Sequence, residues 1–110
     1  MNTHKFNECK PRLGIAHNEN YRCVEWCGGN IVFSYSKRGQ AMCCHFAADK
    51  NSLRLIKPAI EDFCLWATQH YKWCKILVAF VSKPSVGRLI TKCNFHQVGF
   101  VQGYTIYERC

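Results

Sequence analysis

The sequence predicts an α/β (α+β) fold, a mixed sheet that opens as an antiparallel meander and continues β-α-β-α-β-β. Three observations carry this expectation. Short β-rich stretches begin at Tyr21 and are separated by glycine-containing turns. A helical period then runs from Leu53 to Tyr71 and leads into the almost wholly apolar "KILVAFV" of residues 75–81. A shorter helical period, "KPSVGRLITKCNF" over residues 83–95, is followed by two strands around Gln102-Gly103.

Taken in order, residues 1–20 ("MNTHKFNECKPRLGIAHNEN") have weak periodicity and contain Pro11, so a short helix followed by an irregular entry is expected there. "YRCVEWC" and "NIVFSYS" read as strands turned at Gly28 and Gly29, and "QAMCCHFAA" follows after Lys37, Arg38 and Gly39. Leu53, Ile56, Ile60, Phe63, Ala67 and His70 then form one stripe. Lys57, Glu61 and Gln69 lie off it, so this helix should cover a sheet. Pro58 lies near its start.

The run at 75–81 is apolar on both faces, as a central strand requires, and a right-handed crossover places it parallel to residues 41–48. In the second helix Val86, Leu89, Ile90 and Cys93 share a face, with Arg88, Thr91 and Lys92 opposite. Pro84 suits its first turn and Asn94 suits the left-handed residue that ends it. "HQVGFV" and "YTIYER" then form a hairpin turned at Gln102-Gly103.

Composition narrows the class. A chain of 110 residues, 48% hydrophobic and 14% aromatic, can bury one core, so a single domain over 1–110 is expected. No apolar run approaches the roughly 20 residues of a membrane span, and residues 1–20 lack the apolar block of a signal peptide. A cytoplasmic protein with no membrane partner is expected. Fifteen Lys and Arg against seven Asp and Glu give a formal charge of +8, which favours an anionic partner without choosing it. Nucleic acid is disfavoured, because no stretch is read as interleaving aromatic and basic residues in the manner of a stacking platform.

Nine cysteines are an odd number spread through periodic segments, which argues for reduced thiols rather than a secreted disulfide scaffold. Cys23-x-x-x-Cys27 resembles a loose zinc-ligand pair that Cys43, Cys44 and His45 could in principle join. Adjacent Cys43 and Cys44 point to opposite faces of a strand and cannot readily ligate together, so no metal is expected.

Residues 41–109 resemble the C-terminal two thirds of the GCN5-related N-acetyltransferases, and most of all small phage-encoded members. In that family a helix with the pattern N-x-x-A-x-x-x-Y-x-x-x-G-F follows the fourth strand. In "KPSVGRLITKCNF" Lys83 stands where Asn is usual, Ser85 and Val86 occupy the small-residue region, Ile90 replaces the Tyr, and Asn94-Phe95 stands for Gly-Phe. "VGFVQGYTIYER" resembles the family's closing hairpin. The resemblance implies acetyl-CoA held in a cleft between two splayed strands, and transfer of its acetyl group to an amine. It also implies a host protein as target, in the host cytoplasm, for a phage-encoded member.

Two departures bear on the chemistry. The family's glycine-rich phosphate loop corresponds to "DKNSLRLIKPAI", residues 49–60, which contains no glycine. Lys50, Asn51, Ser52, Arg54 and Lys57, with Lys83 and Ser85, are the expected cofactor-binding residues. Asn51 or Ser52 serves equally well as a plain helix cap. With Ile90 in place of the family's acid, the catalytic candidates are His45 as base and Cys44, Cys93 or Tyr104 near the sulfur. The alternative is a catalytically inactive module that keeps the fold and blocks a host protein. The N-terminal third is short for the family's acceptor-binding half. The acceptor site is therefore expected to be open or completed in a homodimer, through an exposed edge at Tyr104–Glu108.

Overall fold

A computed structural model describes residues 5–15, 18–26 and 28–110. The elements are β1 (Phe6–Glu8), β2 (Arg22–Trp26), β3 (Ile31–Arg38), β4 (Ala41–Ala48), a 3-10 turn (Lys50–Leu55), α1 (Ile56–His70), β5 (Ile76–Val81), α2 (Pro84–Thr91), β6 (His96–Val101) and β7 (Tyr104–Arg109). One seven-stranded sheet is formed, in the order β1-β2-β3-β4-β5-β7-β6. The meander β2-β3-β4 is antiparallel, and β5 runs parallel to β4 as the crossover rule requires.

The β4–β5 ladder is short. It pairs Ala41 with Ile76, Met42 with Leu77 and Cys43 with Val78, and goes no further, although both strands continue. By contrast, β3 and β4 pair along their full length, from Arg38↔Ala41 to Ile31↔Ala48. The sheet is therefore open along one internal seam.

Both helices pack on the same face. Phe63 of α1 stacks on Phe33 of β3, with ring centroids 4.3 Å apart, and Ile56, Ala59, Ile60, Cys64 and Ala67 complete its buried stripe. Arg109, at the end of β7, donates to the Glu61 carboxylate of α1 at 2.9 Å and to the Cys93 carbonyl just beyond α2 at 2.8 Å. The end of α2 has the expected form. Asn94 is left-handed at φ 69°, the Phe95 N–H reaches the Ile90 carbonyl, and the Asn94 N–H reaches that of Thr91, which together make a Schellman cap. Gln102 and Gly103 both have positive φ, as the β6–β7 turn demands.

Four expectations are corrected. Instead of a helix near the N-terminus, β1 lies on β2, because Phe6 gains burial against Phe33, Phe63 and Trp66. Three residues are too few to display a period. The stripe of α1 is shorter at both ends: Leu53 lies in the 3-10 turn and is exposed, and His70 is exposed while stacking on Trp66. Pro58 is compatible with the start at Ile56, since it falls in the first turn, where an N–H has no intrahelical acceptor and the missing donor costs no helix bond. Neither Asn51 nor Ser52 caps a helix; both lie inside the 3-10 turn, which Asp49 precedes without a side-chain cap bond. Finally, Tyr104–Glu108 is not a sheet edge. β7 is bonded to β5 on one side and β6 on the other, and the outer strands are β1 and β6.

Candidate functional site

Beyond Cys43 and Val78 the separated halves of β4 and β5 flank a cavity of about 380 Å³. Its strand walls are Cys44, His45 and Phe46 from β4 and Ala79, Phe80 and Val81 from β5. Ile60, Phe63 and Cys64 of α1 close one side, and Val86, Ile90 and Phe95, on and after α2, close the other. Lys83 and Ser82 lie at the turn into α2, and Gly14 contributes from the N-terminal segment. The lining is mainly apolar because β4, β5 and both helices present their core stripes to it. A size of a few hundred Å³ with few polar groups suits a small-molecule site.

Of the residues expected from sequence, His45, Cys44 and Lys83 line this cavity. His45 is half-buried, and desolvation lowers its pKa below 6.5, so the imidazole is neutral at pH 7. Tyr21 stacks on it at 5.6 Å between centroids, and the Tyr21 hydroxyl lies 3.5 Å from Nε2. Burial, with Cys43 beside it, raises the Tyr21 pKa, so the phenol keeps its proton.

The Cys44 sulfur lies 3.6 Å from the Val78 carbonyl oxygen, at the point where the ladder ends. Burial, reinforced by Cys64, Cys43 and Cys74, pushes its pKa well up. A protonated thiol is a poor nucleophile, so this cysteine is a wall of the slot rather than an attacking group.

The other expected residues lie elsewhere. Tyr104 begins β7, exposed, and is outside the cavity lining. Lys50, Asn51, Arg54 and Lys57 are exposed around the 3-10 turn and the first turn of α1. Ser52 is buried, at 2% exposure. Ser85 is exposed on α2. Asp49 occupies the loop where a glycine-rich cradle would sit. Its N–H is already bonded to the Asn30 carbonyl, and one of its carboxylate oxygens is buried without a hydrogen-bond partner.

Sequence reasoning missed the aromatic lining, Phe33, Phe46, Phe63, Phe80 and Phe95, which comes from five separate stretches of the chain and carries no joint signal. It also missed Tyr107. This side chain lies under α2, where a Cβ at Gly87 would overlap its hydroxyl oxygen. With Arg88, Thr91 and Thr105 it lines a second cavity of about 300 Å³, which shares Val81, Ser82 and Lys83 with the first. Among the described residues no three His, Cys, Asp or Glu side chains converge as a metal site. The Cys23-x-x-x-Cys27 pair cannot be placed, because Cys27 lies outside the described residues. No described helix is long and apolar enough to cross a membrane.

No family model matches the sequence, and no curated protein matches it significantly. Solved structures do. An uncharacterized protein from Bacillus halodurans has a TM-score of 0.70 at 12% identity, over 84% of this chain and 60% of that one. The N-acetyltransferase PseH of Campylobacter jejuni has a TM-score of 0.70 at 11% identity, over 83% and 68%. A Bacillus subtilis acetyltransferase in complex with CoA has a TM-score of 0.67 at 15% identity, over 83% and 77%. The chain has the GCN5-related N-acetyltransferase fold. The chain spans less than two thirds of the length of the Bacillus halodurans protein. At these identities the likeness concerns the fold, and the open seam between β4 and β5 is the splayed-strand cleft expected of it.

Proposed function

We propose that the protein is an acyl-CoA-dependent N-acyltransferase that moves an acetyl group from acetyl-CoA to an amine. The observation that carries this reading is the seam, where pairing stops at Cys43 and Val78 while both strands run on beside a cavity of about 380 Å³. Backbone groups of β4 beyond Cys43 are left without β5 partners, and the amides of a pantetheine arm are suitable ligands for such an edge. The apolar side walls suit the rest of the arm and keep water away from the reacting carbon.

The nucleotide end of the cofactor fits differently. No glycine lets the backbone of residues 49–57 wrap a pyrophosphate, and the Asp49 carboxylate opposes an anion. Lys50, Arg54 and Lys57, with Lys83 at the cleft, supply positive charge from side chains instead. When bound, acetyl-CoA supplies the thioester whose carbonyl carbon the amine attacks. His45, held neutral, takes the amine proton at an imidazole nitrogen. N–H groups of β4 beyond Cys43, left without β5 partners, would be the donors available to stabilise negative charge developing on a thioester oxygen bound there. Proximity of the two bound reactants supplies the rest, without a tyrosine at position 90.

Calorimetric titration with acetyl-CoA tests this directly. Binding below millimolar concentration, followed by acetylation of a polyamine or peptide amine, is the expected result. No binding at millimolar cofactor would overturn it. That outcome would favour the second reading, for which Asp49 is the specific observation: a fold retained as a basic module that blocks a protein partner, a host protein for a phage-encoded chain.

A further inference from the structure

A third cavity, of about 280 Å³, lies where β3 ends and α1 gives way to β5, at the pole of the sheet remote from the acyl cleft. Arg22, Tyr35, Ser36, Lys37, Tyr71 and Trp73 line it. Lys37 Nζ sits 5.2 Å from the centre of the Trp73 ring, and the Tyr71 ring lies 5.2 Å from it, tilted by 41°. The Tyr35 and Tyr71 hydroxyls are 2.7 Å apart, so one proton serves their mutual bond and the other hydroxyl proton remains to be donated. Burial raises the Tyr35 pKa, which keeps that hydroxyl a donor.

The cations here are only loosely committed. Among the described residues the one ion pair of Arg22 is with Glu8, at 3.6 Å, and both side chains are largely exposed. Such a pair contributes little and is easily exchanged. Arg38, Lys72 and Lys75 are exposed in the adjoining segments. The stretch "HYKWCK", residues 70–75, does alternate aromatic and basic residues, and the fold sets it beside Arg22 and Lys37.

We propose that this pole binds a nucleotide unit, with its planar base against Trp73 and Tyr71 and its phosphate between Arg22 and Lys37. Lys37 is exposed, and an exposed cation–ring contact is weak enough to yield the indole face when a base takes its place. Its ammonium then meets the phosphate. Stacking on aromatic rings tolerates any base, so the site reads the class of ligand rather than its sequence. A cavity of this size takes one such unit.

The test uses the full chain with thymidine 5′-monophosphate and with a ten-residue oligothymidylate, neither of which carries the adenine of CoA, and follows tryptophan fluorescence. Quenching by either probe is expected. Equal affinity for both would assign a free nucleotide, and tighter binding of the oligomer would assign a single strand. Trp73→Leu should weaken binding by about tenfold or more, the scale of one lost stacking partner. Arg22→Glu with Lys37→Glu, both at exposed positions, should abolish it while leaving the melting temperature unchanged. For the oligomer, neutralisation of that one phosphate gives a log–log salt slope of about −0.7. Arg54→Glu with Lys83→Glu, at exposed positions beside the β4–β5 cleft, should leave this binding unaffected; a loss equal to that of the Arg22 and Lys37 reversal would overturn the assignment. Wild-type affinity in the Arg22 and Lys37 reversal, or no binding of either probe, would overturn it as well.

Discussion

Cys9 and Cys23 face one another across the extension of the β1–β2 ladder, joined by the Cys9 N–H to Cys23 carbonyl bond, with their sulfur atoms 3.4 Å apart. Directly opposed residues of a hydrogen-bonded antiparallel pair have Cα atoms about 5.5 Å apart, within the range a disulfide spans. The described cysteines are free thiols, and this pair is the one poised to join. Burial pushes the Cys23 thiol up to about 12, so exchange begins at the more exposed Cys9.

Oxidised glutathione should therefore form a mixed disulfide at Cys9. Attack by Cys23 then releases glutathione and closes a single internal bridge. Alkylation followed by mass spectrometry should find the Cys9–Cys23 link first, and Cys9→Ser should prevent it. A different first bridge, or three or four internal bridges, would contradict the placement of these thiols.

Reversing charge at Arg54 and Lys83 together should weaken acetyl-CoA binding by about tenfold or more, equivalent to about 1.4 kcal/mol. Both side chains are exposed, so the melting temperature should barely move. Calorimetry on Arg54→Glu with Lys83→Glu reads both quantities. Unchanged cofactor affinity would remove side-chain charge from the binding account.

The lowered pKa of His45 gives stability a definite pH dependence. The unfolded chain takes up this proton near 6.5, whereas the folded chain resists it until lower pH. The contribution is therefore complete above about pH 6.5 and is lost as pH falls through the folded value. Replacing His45 with Gln should flatten the fall in melting temperature between pH 7.5 and 5.0. An unchanged slope would show that His45 is solvated.

Gly87→Ala should destabilise, against the usual gain of up to about 1 kcal/mol for removing a helical glycine. The new methyl group would overlap the Tyr107 hydroxyl oxygen and lie 3.0 Å from the ring carbon that bears it. Gly87→Ala combined with Tyr107→Phe should recover part of the loss, because the group met first is gone. Thermal denaturation of the single and double variants measures this coupling.

The parts of the fold legible in the sequence are those set by local chemistry. Asn94 and Gln102-Gly103 signal positive φ by residue type, and the apolar period of residues 56–67 is long enough to fix a helix. The strand β1 was illegible because Phe6 is buried by partners from β3 and α1, far away in sequence. His45 and Cys44, on the strand that follows the meander, and Lys83, ahead of the second helix, were singled out through the family resemblance, and all three line the β4–β5 cavity. The Phe lining was not, since each ring is an ordinary apolar residue of its own stretch of chain. Tyr107 and the Trp73 cavity share that difficulty: their neighbours are decided by tertiary packing alone.

The three-rung junction of β4 and β5 also divides the polypeptide into consecutive halves. Residues 5–71 hold β1–β4 and α1, while residues 76–109 hold β5, α2 and the closing hairpin. Few ladder bonds cross between them, and much of the join rests on α1 and the Arg109 clasp to Glu61. A cut near Lys72 leaves every strand and helix whole, so two fragments expressed separately retain the matching surfaces needed to reassemble. The cavity between β4 and β5 lies along that divide, and its width is set by how the two fragments meet.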